Sequence, residues 1–393
     1  MHPAPDTLQP FRDTEQALHE EAIAAVGYEN FGAPAYLEGL RVVLDAYDHE
    51  AKFHPAGRQA ARANLLQLLT TRLRSQRLLN QHAATLSPEI RRPIIVLGLV
   101  RTGSTALHHL LGQDPNTQTL EYWLAAHPQP RPPRASWEQL PDFQESAAEI
   151  EGMYAFDPSL RGIHLMAPEL AEECRHLLAQ SFADDSFEVN ATVPTYTQWY
   201  ESGHHHAAYA RHRELVRLIG STAPAERRWI LKYPVHMKHL RALLAVYPDA
   251  CIVHTHRDPS RVLSSYINLI AGFRAIFERD IDRAAIAREQ LEVWAAGAER
   301  AIAVRREQAT AQFFDLYFSD FVADPIGSVQ RIYERFGVAF AADSERRMRQ
   351  WQATTPEGKV GTAPQPVADV GLSRDKILDR FAAYMRYFDL KAE

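Results

Sequence analysis

Three short apolar runs in this sequence each end in a cationic residue. The first, Ile94-Ile95-Val96-Leu97-Gly98, leads through Leu99-Val100 into Arg101-Thr102-Gly103-Ser104-Thr105 and then an amphipathic stretch reaching Leu111. A strand, a loop with two glycines and a helix start expose several backbone N–H groups where a helix carries roughly half a positive charge. Together with the hydroxyls of Thr102, Ser104 and Thr105, those groups suit an anion with several oxygens. Arg101 adds a permanent charge and a planar fork of donors matched to phosphate or sulfate. The nearest nucleotide pattern is G-x-x-x-x-G-K-[ST], whose glycines fit Gly98 and Gly103, but Ser104 stands where it needs lysine. A β/γ-phosphate pair with magnesium is therefore poorly served.

The second run is Trp229-Ile230-Leu231, followed by Lys232-Tyr233-Pro234-Val235-His236. Pro234 suits a helix start, which places His236 in the first turn of a helix expected to run to Val246. A histidine there can accept a proton near neutral pH, and the lysine beside it can neutralise a leaving phosphate. The third run, Ala250 to His254, ends in Thr255-His256-Arg257-Asp258-Pro259, with Asp258 as N-cap and Pro259 in the first turn of a helix over Ser260 to Phe277. Arg257 then projects from the carboxyl end of its strand, where open parallel sheets bind ligands. Ser265, eight residues on, lies near the helical face of Arg261, so Arg257 and Ser265 can grip a second phosphate.

The elements that must carry these residues are strands alternating with helical patterns, with Phe313 to Phe318 as a further strand. That order predicts an α/β protein, a three-layer P-loop-like fold with a central parallel sheet. Before it, apolar residues recur at helical spacing from about Thr14 to Ala84, and a turn signal follows at Ser87-Pro88. This reads as a helical N-terminal extension over 1–88 and a main domain over 89–393. Apolar residues make up 46% of the chain and the net charge is -6, which argues against bulk binding to nucleic acid or an anionic membrane surface. The two cysteines, Cys174 and Cys251, read as buried thiols of a reducing, cytoplasmic setting. The first ten residues lack the apolar run of a signal peptide, and no membrane span is expected.

In order and wording, these segments resemble the PAPS-dependent sulfotransferases, which use 3′-phosphoadenosine 5′-phosphosulfate; the similarity is to a bacterial branch with a helical N-terminal segment. Gly98 to Thr105 match that family's loop G-x-P-R-[ST]-G-[ST]-T, with Val100 in place of its proline. Arg257 and Ser265 match its Arg and Ser eight residues apart, His256-Arg257-Asp258-Pro259 resembles the branch's wording, and Leu231 to His236 is similar to its L-K-x-P-x-H segment. Leu160 to Leu178, with Pro168 before Glu172-Glu173, and Tyr317 to Gly337 resemble later segments, so the likeness runs from about Tyr28 to Leu390. Near the C-terminus the branch's basic, aromatic segment is reduced here to Lys359.

The resemblance implies a sulfotransferase that moves a sulfuryl group from PAPS to a hydroxyl or amine of a small-molecule acceptor. It assigns the 5′-phosphosulfate to the Arg101–Thr105 loop with Lys232, and the 3′-phosphate to Arg257 and Ser265 with Lys359 nearby. The acceptor's proton requires a base, His236 first and Glu173 second. No metal is required by this chemistry. His204-His205-His206, His212 and Glu201 read as a solvated face rather than a metal site, and His254 and His256 receive no chemical role. Tyr196, Trp199 and Tyr200 read as core in preference to an acceptor wall. The rival readings are a P-loop kinase and a non-catalytic, nucleotide-binding relative; acceptor identity is unreadable, and a homodimer is left open.

Overall fold

The computed structural model describes residues 9–86, 89–156, 158, 161, 165–203, 205–224, 226–355 and 371–392. Its centre is a five-stranded sheet of β1 (Ile94–Gly98), β2 (Thr117–Thr119), β3 (Arg228–Lys232), β4 (Cys251–His256) and β5 (Phe313–Tyr317). The strand order is β2-β3-β1-β4-β5 and every pairing is parallel. All carboxyl ends therefore lie along one edge, and the central position of β1 puts its loop between those of β3 and β4.

The apolar runs became strands because both faces of the sheet are covered. Ile94 and Val96 of β1 point into a core with Leu107, Leu110 and Leu111 of the helix α4 (Ser104–Leu111) and with the helix Pro325–Phe336. Ile95 and Leu97 point the other way, into a larger core. That core is shared with the N-terminal helices α1 (Glu15–Val26), α2 (Tyr36–His49) and α3 (Pro55–Gln81). These helices pack directly against the main body: α3 lies on the helices His206–Ile219 and Pro259–Phe277. Arg72 of α3 is buried and donates to the carbonyls of Phe31, Ala33 and Gln180, tying the N-terminal segment to the rest. Burial, and then Arg211 beside it, drives its pKa down to about 8.

Four corrections to the sequence reading emerge. Strand β2 was not expected, since Thr117-Gln118-Thr119 carries no apolar run. The helix expected from His236 to Val246 is broken into a 3-10 turn, Pro234–Met237, and a helix, Leu240–Val246. His205 and His212 are buried rather than solvated, and Glu201 pairs with Lys238 (2.5 Å) and Arg300. Trp199 is only half-buried and donates to Glu38, whereas Tyr196 and Tyr200 belong to the core. Both cysteines are buried and unpaired. Among the described residues, no helix is long and apolar enough to cross a membrane.

Candidate active site

The loop after β1 is held open by its backbone. Gly98 adopts φ 147°, and a Cβ there would sit 2.3 Å from the Thr255 carbonyl oxygen, so only glycine lets β1 and β4 converge. Arg101 (φ 61°) and Gly103 (φ 82°) are both left-handed, which turns successive N–H groups toward one concavity at the start of α4. The Thr102 hydroxyl faces inward, donating to the Leu99 carbonyl at 2.8 Å and lying 2.6 Å from the Thr255 hydroxyl. It therefore locks the loop, while Ser104 and Thr105 open the helix.

The end of β3 delivers Lys232 beneath this loop. Its buried ammonium donates to Thr105 Oγ1 at 2.9 Å and to Glu173 Oε1 at 2.5 Å. Glu173 reaches it because an extended segment threads past the sheet edge. Glu172 N donates to Leu120 O, and Cys174 N donates to the Lys232 carbonyl at 2.9 Å. Tyr233 is fixed in turn by the buried side chains of Asp184 and Asp185, whose carboxyl oxygens both lie within hydrogen-bond reach of its hydroxyl. On the other flank, Asp258 caps the helix Pro259–Phe277 through Ser260 N, and Arg257 Nη1 donates to the Arg101 carbonyl at 3.3 Å. Burial first, and the neighbouring Arg257 second, hold the Arg101 guanidinium below its ordinary pKa. The two guanidinium groups concentrate positive charge at this edge of the sheet.

Residues 93–342 match the model of the Sulfotransferase family. The chain belongs to that family. Sulfotransferase STF1 from Mycobacterium tuberculosis has a similar crystal structure, with a TM-score of 0.86 at 38% identity over 95% of this chain and 100% of that one. Sulfotransferase STF9 from Mycobacterium avium gives 0.89 at 26% identity, covering 99% of both chains. The omega-hydroxy-beta-dihydromenaquinone-9 sulfotransferase Stf3 of Mycobacterium bovis is 26% identical over 180 residues, 43% of this chain. That match spans 45% of the relative's length.

The fold brings Arg101, Thr102, Gly103, Ser104, Thr105, Lys232, Glu173 and Arg257 to one edge of the sheet. Ser265 lies half-buried about two turns into the helix that Arg257 precedes. Lys359 lies outside the described residues. His236 is elsewhere in character: fully buried, it bonds Tyr209 OH through Nδ1 at 2.8 Å, and its Nε2 is enclosed without a partner. Burial, then His212, pushes its pKa well below the ordinary imidazole value. Sequence reading missed the Lys232–Glu173 bond, because 59 residues separate the partners. His254 and His256 are likewise buried in β4. His256 bonds Asp315 (2.8 Å) and Tyr384 (2.7 Å), anchoring the C-terminal helix Ala382–Tyr387 beside the strand end that carries Arg257.

Proposed function

We propose that this chain transfers a sulfuryl group from PAPS to a hydroxyl, or an amine, of a small-molecule acceptor, with Glu173 as the base. The observation that carries the reading is the single ammonium of Lys232 joining Thr105 of the anion loop to the Glu173 carboxylate. Binding groups and base are thereby held at hydrogen-bond distance from one cation. The residues present fit the donor: left-handed backbone at Arg101 and Gly103, two neighbouring arginines and a buried lysine form a cradle for more than one anionic group.

When bound, PAPS supplies an activated sulfuryl group on a phosphate leaving group. Arg101, the loop N–H groups and the Ser104 and Thr105 hydroxyls would hold its 5′ end; Arg257 and Ser265 would hold the 3′-phosphate. Lys232 would offset negative charge developing on the departing oxygen, a fixed cation needing no reorganisation. Glu173 keeps Oε1 on Lys232 and takes the acceptor's proton on Oε2. Catalysis is thus positioning and charge stabilisation, as in phosphoryl transfer. His236 is a weaker base on this reading, since its ring is sealed in the core.

The test is transfer of radiolabel from PAPS to an acceptor panel of phenols, sterols, carbohydrates and lipid-like alcohols, with no ATP or magnesium added. Stf3 is named for a menaquinone-derived substrate, so hydroxylated isoprenoids belong in that panel. Labelled product supports the proposal. Tight binding of adenosine 3′,5′-bisphosphate (PAP) without transfer to any acceptor would favour a non-catalytic nucleotide-binding role.

A further inference from the structure

Away from the cationic edge, two helices bring a histidine against two carboxylates. His127 ends the short helix Tyr122–Ala126, and Asp142 and Glu145 stand at the start of the helix Pro141–Phe156. Residues three apart on a helix share a face. Aromatic packing locks the two helices together: the Trp123 ring meets Phe143 edge-on at 6.0 Å, and Trp137 packs on both rings. One nitrogen of His127 and one oxygen each of Asp142 and Glu145 all lie within 4.8 Å of one another. A single point is therefore within about 2.8 Å of all three, close to the roughly 2.0–2.2 Å of a zinc–ligand bond. His127 Nδ1 stands 3.9 Å from Asp142 Oδ1, too far for a hydrogen bond. That separation is near the ~3.4 Å that two ligands keep across a tetrahedral zinc ion. The imidazole is only 9% exposed, and its ring makes no hydrogen bond among the described residues. Gln129 Nε2 donates to Asp142 Oδ2 at 2.6 Å, an outer bond of the kind that orients a ligating carboxylate. Glu145 is exposed, which leaves an entry path from solvent.

We propose that His127, Asp142 and Glu145 bind a divalent transition-metal ion of the zinc type, with water completing its coordination. One imidazole nitrogen with carboxylate oxygens suits such a borderline ion, whereas magnesium and calcium favour oxygen alone. The two carboxylates balance its double charge. The ion is structural and takes no part in group transfer. Tyr122 N donates to the Leu170 carbonyl at 2.9 Å and Trp123 N to that of Pro168 at 3.1 Å, on the segment that runs on to Glu173. Joining His127 to Asp142 and Glu145 therefore braces the helix on which that segment is docked. The three ligands share no residue with the cationic edge, and binding here needs no PAPS.

The experiment is calorimetric titration of zinc chloride into the full chain, stripped with EDTA and desalted, for wild type, His127→Ala and Glu145→Gln. Wild type should take up zinc with micromolar or tighter affinity. Each variant should weaken one equivalent of that zinc by at least about 10-fold, since loss of even an outer partner costs about 10- to 100-fold. Glu145 is exposed and the amide has the same shape, so Glu145→Gln keeps its fold even if His127→Ala does not. With zinc at about 100 times the dissociation constant, the wild-type melting temperature should rise by about 3 °C. Glu145→Gln at the same zinc concentration should gain about half of that or less. Zinc uptake that both variants retain undiminished places the ion at other histidines and overturns the inference. Absence of uptake by wild type at micromolar zinc overturns it equally, and neither result bears on the donor reading.

Discussion

Replacing Glu173 by glutamine separates chemistry from binding at this site. The amide retains an oxygen for Lys232 but can no longer accept a proton, so the ammonium keeps a neutral partner in place of an ionic one. Lys232 is 1% exposed, and Thr105 Oγ1 remains 2.9 Å away. The fold should therefore survive, whereas Glu173→Ala would strand a buried charge at a cost of about 3–5 kcal/mol. Loss of general-base catalysis lowers turnover by about 10²–10⁴, or roughly 3–5.5 kcal/mol of barrier. Binding should move the other way. A carboxylate about 4 Å from an incoming anion opposes it by a few kcal/mol at most at protein-surface dielectric, so PAP should bind equally well or tighter in Glu173→Gln. The assay is single-turnover transfer from radiolabelled PAPS, with PAP affinity measured by calorimetry on the same preparations. Turnover within about 3-fold of wild type, with PAP affinity unchanged, would refute Glu173 as the base.

Arg257→Ala should weaken PAP by at least about 10-fold and largely abolish its advantage over adenosine 5′-monophosphate, since charge-assisted bonds contribute about 1.5–3 kcal/mol each; calorimetry with both ligands checks it. His236→Ala should leave Tyr209 OH buried without its partner at a cost of about 1–3 kcal/mol, lowering the melting temperature. Turnover per PAP-binding molecule should stay within about 3-fold of wild type; a fall of about 10² with unchanged melting would instead make His236 the base. His212 has its pKa pushed down to about 3 by burial, and burial also depresses His108, His236 and His254. Unfolded imidazoles titrate near ~6.5, so below that pH the unfolded chain binds more protons than the folded one. Stability should therefore fall as pH drops from about 6.5 toward the folded value near 3, by up to ~1.4 kcal/mol per pH unit for His212 alone. Urea melts at pH 7.5, 6 and 5 test this; a flat midpoint would contradict it.

Local motifs made the cationic edge of the sheet legible in the sequence. Gly98 to Thr105 and Arg257-Asp258-Pro259 place strand end, loop and helix cap within a few residues, so the sequence itself contains their geometry. Strand β1 was legible because burial on both faces demands an unbroken apolar run. Strand β2 was not, because its threonines and glutamine are buried with their side chains hydrogen-bonded to neighbouring groups, which leaves no apolar run to read. The Glu173–Lys232 bond depends on the Cys174 N–H docking on the Lys232 carbonyl, a tertiary contact with no periodicity to announce it. His205, His212 and His236 misled for a related reason. Histidine usually lies near the surface, and here tyrosines, other histidines and backbone carbonyls enclose it.

The most direct measurement is a crystal structure of the chain with PAP bound. The 5′-phosphate should lie against the N–H groups of the Arg101–Thr105 loop and near Lys232, with the 3′-phosphate on the Arg257 guanidinium. A nucleotide seated away from the carboxyl edge of the sheet, or one whose 3′-phosphate points into solvent, would contradict the account.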